Sequence, residues 1–403
     1  MTDTETSYAP GMNALFVHRY DLVRELLGSD ALQNARLADP LLDALAPEKY
    51  RLHQPIKHFF GLWPVFSHGA YHQRVRAALR PVLDREATLA AVAGMRPDCR
   101  DMLVGLAVAT PAGNGVDWVA DFAHPYAVAL LGRLFGVAPA TMRELLGPTS
   151  RVMTYLSKPL SLHDDELAHE VRQALAVMVA LVGDEILESP RSALARALAV
   201  LAADGELGHQ VATAVTTQII TGTLDPLVAL LTDTLLLFPA TAPTGGARPA
   251  DPAGHPAGHP GTSAGAVAED LRLSCPIRFA PRHVNRPVEI AGNRLGPGDR
   301  VILGLATANL DPHRYDDPLA CRIDRPGPPH LAFGQGAHYC LGAPLARWAT
   351  GQLIEVLASG AVEIDVDRAS LVRDRHLSIS KVLALRVRVT RGAGDIVGKV
   401  SSA

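Results

Sequence analysis

From Val211 to Phe238 the chain is almost entirely apolar residues and threonines. A run that long either crosses a bilayer or becomes a helix buried at the centre of a folded domain. Gln218, Asp225, Pro226 and Asp233 lie inside it. Such groups are expensive in lipid, so the run predicts a buried core helix around which the rest of the chain is built. Asp225 and Pro226 stand side by side at its middle, in "QIITGTLDPLVALL". An interior proline costs a helix ~3 kcal/mol, and an unpaired buried carboxylate is costlier still. One structural outlet exists, because Asp-Pro is a good N-cap–N1 pair and a second helix can restart at Pro226.

The chain has 403 residues, which leaves two lobes or one large α-rich domain open. Hydrophobic residues at 48% against 20% charged describe a globular chain. The net charge of −3 gives no basic excess for nucleic acid. The stretch "MTDTETSYAPGMNALF" has no basic n-region, so no secretory signal and no membrane association are expected, and the location is expected to be cytoplasmic. Cys99, Cys275, Cys321 and Cys340 form no CxxC pair, which points to neither a zinc site nor a disulfide framework.

The first 240 or so residues carry helical periodicity. "DLVRELLGS" (Asp21–Ser29) repeats apolar residues at helical spacing and ends on a glycine stop. "YHQRVRAALRPVLDREATLAAVAGM" and "DDELAHEVRQALAVMVALVGDEIL" predict further amphipathic helices. Pro239–Ala268 is Pro/Gly/Ala-rich and reads as a flexible segment. "VEIAGNRLGPGDRVILGL" (Val288–Leu305) and "LVRDRHLSISKVLALRVRVTRG" carry short β-type runs between turns. The fold class expected is mainly α with a small β portion late in the chain.

Residues 333–342 read "FGQGAHYCLG" and precede "APLARWATGQLIEVLASG", a helix with Leu345, Ala349, Leu353 and Val356 on one face. Cys340 therefore lies at or just before a helix N-terminus, where the dipole and free N–H groups favour a thiolate. Gly334, Gly336 and Gly342 remove side chains around the sulfur, so a flat ligand can approach the backbone closely. Pro344 suits a first helical turn. Taken alone, Cys340 also fits a buried free cysteine beside a glycine turn.

The decapeptide resembles the haem-binding loop of cytochrome P450 enzymes, F-G-x-G-x-H-x-C-x-G, at every fixed position. The resemblance implies a single domain over residues 1–403 with the mainly α cytochrome P450 fold of the soluble bacterial class. It also implies that Cys340 is the thiolate ligand of haem b (iron protoporphyrin IX). "AEDLRLSCPIRFAPR" contains Glu269-x-x-Arg272, which resembles the family's helix pair beneath the haem; read physically, it is an ordinary helical ion pair. "NLDPHRYDDP" (Asn309–Pro318) is similar to the stretch before the haem loop, with Leu310 where an arginine is common. The resemblance makes His72, Arg76, Arg282, Phe333, His338 and Gly342 the haem-contacting positions. His72, Arg76, Arg282 and His338 are assigned to the propionates, which cationic and N–H donors suit.

The chain departs from the family at its central helix, which usually carries A-G-x-(D/E)-T. With Gly222 on the motif glycine, Leu224 takes the acid position, Asp225 the threonine position, and Pro226 follows. Thr221, Gly222 and Asp225 are the catalytic candidates. Three reactions stay open. Asp225 replaces the proton-delivery group of an ordinary monooxygenase. Or Asp225 holds an amine or protonates an oxidant in a peroxide-dependent enzyme. Or the reaction is an O2-independent rearrangement, dehydration or nitrene transfer. Only the first needs ferredoxin and ferredoxin reductase as partners. A non-catalytic P450-like auxiliary protein is the remaining alternative, although such relatives typically lack the ligand cysteine. The expected substrate is a small aromatic or amine-bearing intermediate of secondary metabolite biosynthesis. Its pocket candidates are Phe59, Phe60, Trp63 and Phe66, from the aromatic-rich Lys57–His72, with Leu224 and Val284; core packing is the competing explanation for the first three.

Overall fold

The computed structural model describes residues 5–9, 13–34, 45–93, 95–110, 115–157, 165–205, 207–238, 260–374 and 378–392. In its first half the helices are α1 (Tyr20–Leu27), α2 (Pro47–Gly61), α3 (Gly69–Leu83), α4 (Arg85–Ala91), α5 (Met95–Ala109), α6 (His124–Phe135), α7 (Pro139–Ser157), α8 (Asp165–Val182) and α9 (Ala193–Ala202). Then come α10 (Gly208–Leu237), α11 (Pro260–Ser274), α12 (Leu305–Ala308) and α13 (Ala343–Ala358). The strands are β1 (Thr6–Ala9), β2 (Ala14–Val17), β3 (Leu32–Asn34), β4 (Val116–Asp117), β5 (Phe279–Val284), β6 (Val288–Ile290), β7 (Asn293–Leu295), β8 (Arg300–Gly304), β9 (Val362–Val366), β10 (Val372–Asp374), β11 (Lys381–Ala384) and β12 (Arg386–Arg391).

The principal sheet has the order β1-β2-β8-β5-β3, with β2 and β8 parallel at Leu15↔Val301 and the other pairs antiparallel. A second sheet runs β4-β12-β9, and β6-β7 and β10-β11 are two-stranded. The chain is thus mainly helical, with its strands concentrated after α11. Local chemistry sets several boundaries. The helix expected over "YHQRVRAALRPVLDREATLAAVAGM" is split, because Asp84 caps α4 by accepting from Ala87 N at 2.8 Å. Gly136 ends α6 in the left-handed region (φ 72°), and a Cβ there would lie 2.9 Å from Ser192 N, so only glycine fits. Ser192 itself caps α9 through Ala195 N.

Helix α10 is the centre of the molecule and packs on α6, α7, α8, α9, α11, α13 and β11. It is also, among the described residues, the helix long and apolar enough to cross a membrane, and 56% of its most apolar window is buried inside the protein. Its threonines are absorbed by the helix: Thr213, Thr217, Thr232 and Thr234 donate to the carbonyls of His209, Thr213, Val228 and Leu230.

Helix α10 runs without interruption through Asp225 and Pro226, so Asp225 is not the cap of a restarted helix. The physical reason is burial on both sides of the proline. Leu227, Val228, Leu230 and Leu231 continue the core at 4% exposure or less, and each such side chain contributes roughly 1.5–3 kcal/mol. Interior proline is also not peculiar to α10, since Pro55, Pro81 and Pro148 lie inside α2, α3 and α7. Pro226→Ala restores an N–H for the Gly222 carbonyl and is expected to raise stability by about 1–3 kcal/mol, read as an upward shift of the urea midpoint. A lower midpoint would mean that the pyrrolidine ring contributes packing that alanine cannot replace.

Residues 239–259 of the expected flexible segment lie outside the described residues. From Pro260 onward the backbone is helical, so Pro260–Ala268 is the first part of α11 rather than linker.

Candidate active site at the cysteine loop

The loop before α13 is shaped by two glycines in the left-handed region, Gly334 (φ 67°) and Gly336 (φ 72°). Tyr339 N donates to Gly336 O at 3.1 Å and Cys340 N to Phe333 O at 3.0 Å, closing the loop. Cys340 then sits just ahead of α13, which starts at Ala343. The backbone N–H groups of Gly342 and Ala343 favour its ionised form, and Ala343 N donates to the Cys340 carbonyl at 3.5 Å. A Cβ on residue 342 would lie 3.7 Å from the Cys340 sulfur. Cys340 is exposed, yet protein atoms crowd its thiol. That desolvation pushes the thiol pKa up, while the two N–H groups, Arg76 and Arg347 pull it down. Arg347 stacks over the Phe333 ring at 4.6 Å.

Cation-capable side chains converge on this loop. Arg76 Nη2 donates to Tyr339 O at 2.8 Å. The His72 ring lies 4.2 Å from that of His338, and His68 lies 5.9 Å from the same ring. His72 is buried and its Nε2 has no hydrogen-bond partner. Arg282, on β5, is only 6% exposed and donates to Pro281 O. Burial pushes its pKa down to about 10. Burial, with His72, Arg282, His68 and Arg76 adding to it, pushes His338 down to about 3. No carboxylate is among the groups that shift His68, His72, Arg76, Arg282 or His338. The cluster is therefore short of negative charge.

Beneath the loop, Glu269 and Arg272 of α11 form a bidentate pair with both contacts at 2.7 Å. Arg272 also donates to the carbonyls of Asn309 (2.9 Å) and Pro318 (2.7 Å). Glu269 accepts from Arg322 N and from Arg325 Nε, each at 2.9 Å. The stretch Asn309–Pro318 is thereby pinned to α11, and Asn309 Oδ1 accepts from Leu331 N at 2.7 Å, just before the cysteine loop.

On α10, Gly222 is exposed and Thr223, Leu224, Asp225 and Pro226 are half-buried. Thr221 is buried and donates to Gln218 O at 3.1 Å. Gln218 Oε1 accepts from Val65 N at 3.0 Å, which ties the turn Pro64–Phe66 to the helix. Phe66 is half-buried and stacks on Trp63 at 6.1 Å. Phe59, Phe60 and Trp63, expected to line the pocket, are 6%, 0% and 3% exposed. Phe60 also stacks on Tyr155 of α7 at 6.3 Å. Val284 is 2% exposed. These four are core; α2, which carries Phe59 and Phe60, packs against both α8 and α10. Asp225 Oδ2 accepts from Lys381 Nζ of β11 at 3.2 Å.

The cytochrome P450 family profile matches residues 264–357, from α11 to the end of α13. Among curated proteins, the chain is 28% identical to the cyclomarin C epoxidase CymV of Salinispora arenicola over 72% of this chain and 71% of that one. It is 25% identical to the 6-deoxyerythronolide B hydroxylase of Saccharopolyspora erythraea over 94% and 91%. The match to the monooxygenase PikC of Streptomyces venezuelae is 37% identical but covers 32% of each chain. The fold superimposes on epothilone B-bound cytochrome P450epoK with a TM-score of 0.77 over 96% of this chain and 94% of that one, at 19% identity. The chain has the cytochrome P450 fold, and residues 264–357 carry that family's profile.

P450 enzymes carry haem, and the residues present fit it. A thiol stands just ahead of a helix N-terminus in a glycine-lined loop, and the cations around it lack carboxylate partners, as a dianionic macrocycle requires. Several of the site's polar contacts escaped sequence reasoning. His68 left a weak signal, being one helical turn before His72. Gln218 left another, as a polar residue in the apolar run. Lys381 left none, since it lies 156 positions from Asp225.

Proposed function

We propose that this P450 is a haem-thiolate monooxygenase that oxidises a small, mainly apolar intermediate of a natural-product pathway, aromatic or amine-bearing, in the cytoplasm. The observation that carries this reading is the cysteine loop, with Cys340 just ahead of a helix N-terminus and flanked by cations that lack carboxylate partners. The relatives support oxidation in a natural-product pathway: one is named a cyclomarin C epoxidase and one a 6-deoxyerythronolide B hydroxylase. Haem b, when bound, supplies redox chemistry at an iron made electron-rich by the thiolate.

The chain's own residues do the rest. Cys340 ligates the iron. Arg76 and Arg282, with His72 and His338, hold the propionates, and His68 joins them. Gly342 and Gly334 keep the loop clear, and Phe333, beneath Arg347, backs it. Leu224 and Phe66 keep water from the distal space beside Gly222. Asp225 handles a proton, or binds an amine, through the carboxylate oxygen that Lys381 leaves free. Ferredoxin and its reductase deliver the electrons.

A second reading, peroxide-dependent or O2-independent chemistry, is favoured by the missing alcohol. The Thr221 hydroxyl is committed to Gln218 O, and Pro226 offers no hydroxyl. Moving the motif by one residue, so that Asp225 is the acid and Pro226 stands for the threonine, still leaves the alcohol absent. Purified holoprotein with tyramine and indole as probes separates the two readings in three arms: a ferredoxin system with O2, peroxide alone, and neither. Product in the first arm only supports the monooxygenase. Product with peroxide alone, or with neither, overturns it. Asp225→Asn is expected to slow the first arm roughly 10²- to 10⁴-fold, the usual worth of a positioned proton-transfer group, while the absorbance band of reduced protein with CO stays intact. Wild-type turnover in that variant would leave Asp225 a partner of Lys381 and nothing more. A non-catalytic auxiliary protein would lack the CO band altogether.

A further inference from the structure

The contact between α10 and the C-terminal hairpin joins residues far apart in sequence at the one carboxylate in the middle of the central helix. Asp225 Oδ2 accepts from Lys381 Nζ at 3.2 Å, and Oδ1 has no hydrogen-bond partner among the described residues. The Asp225 side chain is 28% exposed and that of Lys381 41%, so the pair lies between solvent and interior.

The strand that carries Lys381 is held firmly. In the β10–β11 ladder, Asp374 faces Lys381 and Arg373 faces Val382. Arg373 donates to Ser380 Oγ at 2.9 Å and forms an ion pair with Asp233 of α10. Asp233 lies about 12 Å further along the helix than Asp225, at 1.5 Å per residue. The hairpin is thus anchored at two points on one helix face, and the Lys381 backbone is fixed relative to Asp225. A third titratable group stands nearby. His124, which opens α6, has its pKa lowered by burial, raised by Asp225 and lowered by Lys381.

We infer that Lys381 is a positioning residue for Asp225: it occupies Oδ2, fixes the carboxylate's rotamer, and keeps Oδ1 as the one working oxygen. The inference rests on the reading that Asp225 acts in turnover. A helix-borne carboxylate without a partner samples several rotamers, and one charge-assisted bond from a three-donor ammonium selects among them. Half-exposed ion pairs add little stability. The role is therefore orientation, and it separates turnover from folding.

The test uses full-length holoprotein with Lys381→Met, Lys381→Arg, Asp225→Asn and the double variant Asp225→Asn/Lys381→Met. NADPH consumption is followed with a bacterial ferredoxin pair under O2, with indole as the probe, together with the share of electrons released as hydrogen peroxide. Lys381→Met is expected to slow consumption roughly 10- to 100-fold, the scale of a misplaced catalytic group, with an unchanged melting temperature. Lys381→Arg restores most of the rate. The double variant is no slower than Asp225→Asn alone, because the lysine acts only through the aspartate. A substrate-free readout accompanies these: NMR titration of His124 moves up in Lys381→Met and down in Asp225→Asn.

Wild-type consumption in Lys381→Met beside a slow Asp225→Asn overturns this inference and leaves the Asp225 reading standing. So does a double variant in which the two losses multiply. Wild-type consumption in Asp225→Asn overturns the Asp225 reading, and this inference with it.

Discussion

Cys340→Ser is expected to give a folded chain whose reduced form shows no thiolate-type CO band and whose turnover falls to background. Serine nearly keeps the size of the side chain. The bonds from Tyr339 N to Gly336 O and from Cys340 N to Phe333 O belong to the backbone and persist. What is lost is the soft, electron-donating ligand. Crowding pushes the thiol pKa up in the absence of metal, and coordination to a cation reverses this by deprotonating the thiol outright. Serine's oxygen offers no comparable ligand. No other cysteine can take over. Cys99 and Cys275 are fully buried in the core, and Cys321 lies beside Glu269, Asp270 and Arg272. Absorbance of the reduced, CO-treated protein, with haem content and circular dichroism as controls, checks the prediction. A retained thiolate band in Cys340→Ser would remove Cys340 from the site.

What could be read from the sequence was whatever is local. The apolar run gave the central helix because burial on all sides leaves no alternation. The cysteine loop was legible because its glycines, cysteine and following helix lie within a few residues of one another. Val288–Leu305 and the C-terminal runs read as strands from their turns, and β6, β7, β8, β10, β11 and β12 lie there. The misses share a physical cause, which is that they depend on what folds against the segment. An aromatic cluster at Phe59–Phe66 looks the same whether it lines a pocket or fills a core; the packing of α2 on α8 and α10 decided for core at Phe59 and Phe60, and Trp63 is buried beside Phe60. Asp-Pro is a good local helix start, but the apolar residues on either side kept α10 whole. The partner of Asp225 comes from β11 and left no trace near position 225. Only the break at Asp84 could have been found, since an aspartate followed by a fresh helical start is a cap signal.

Glu269→Gln is expected to cost about 3–5 kcal/mol of stability, the usual loss when one partner of a buried ion pair is removed. Both residues are almost fully enclosed, Glu269 at 3% and Arg272 at 2% exposure. Glutamine fills the same volume but strands two guanidinium groups, Arg272 and Arg325, which both donate to the carboxylate. The loss spreads because Arg272 also holds the carbonyls of Asn309, Pro318 and Ala320, and Asn309 holds Leu331 at the entrance to the cysteine loop. Lower haem content is therefore expected alongside the lower urea midpoint. The pH dependence follows from the sign of the shift. Burial opposes ionisation of Glu269, but the bonds from Arg272, Arg322 N and Arg325 outweigh it and hold the pKa below its ordinary value. Such a group stabilises the fold fully above its unfolded pKa, about 4.3, and that stability is lost as pH falls through the lower folded value. Asp270, the next residue, behaves oppositely. Burial pushes its pKa up to about 7, against hydrogen bonds from Thr234 and Ser274, so its contribution declines as pH rises towards neutrality and is constant above. Acid unfolding monitored by circular dichroism should thus show wild type and Glu269→Gln converging as pH drops below about 4. A constant gap between them at all pH values would mean that the glutamate contributes through shape and not through charge.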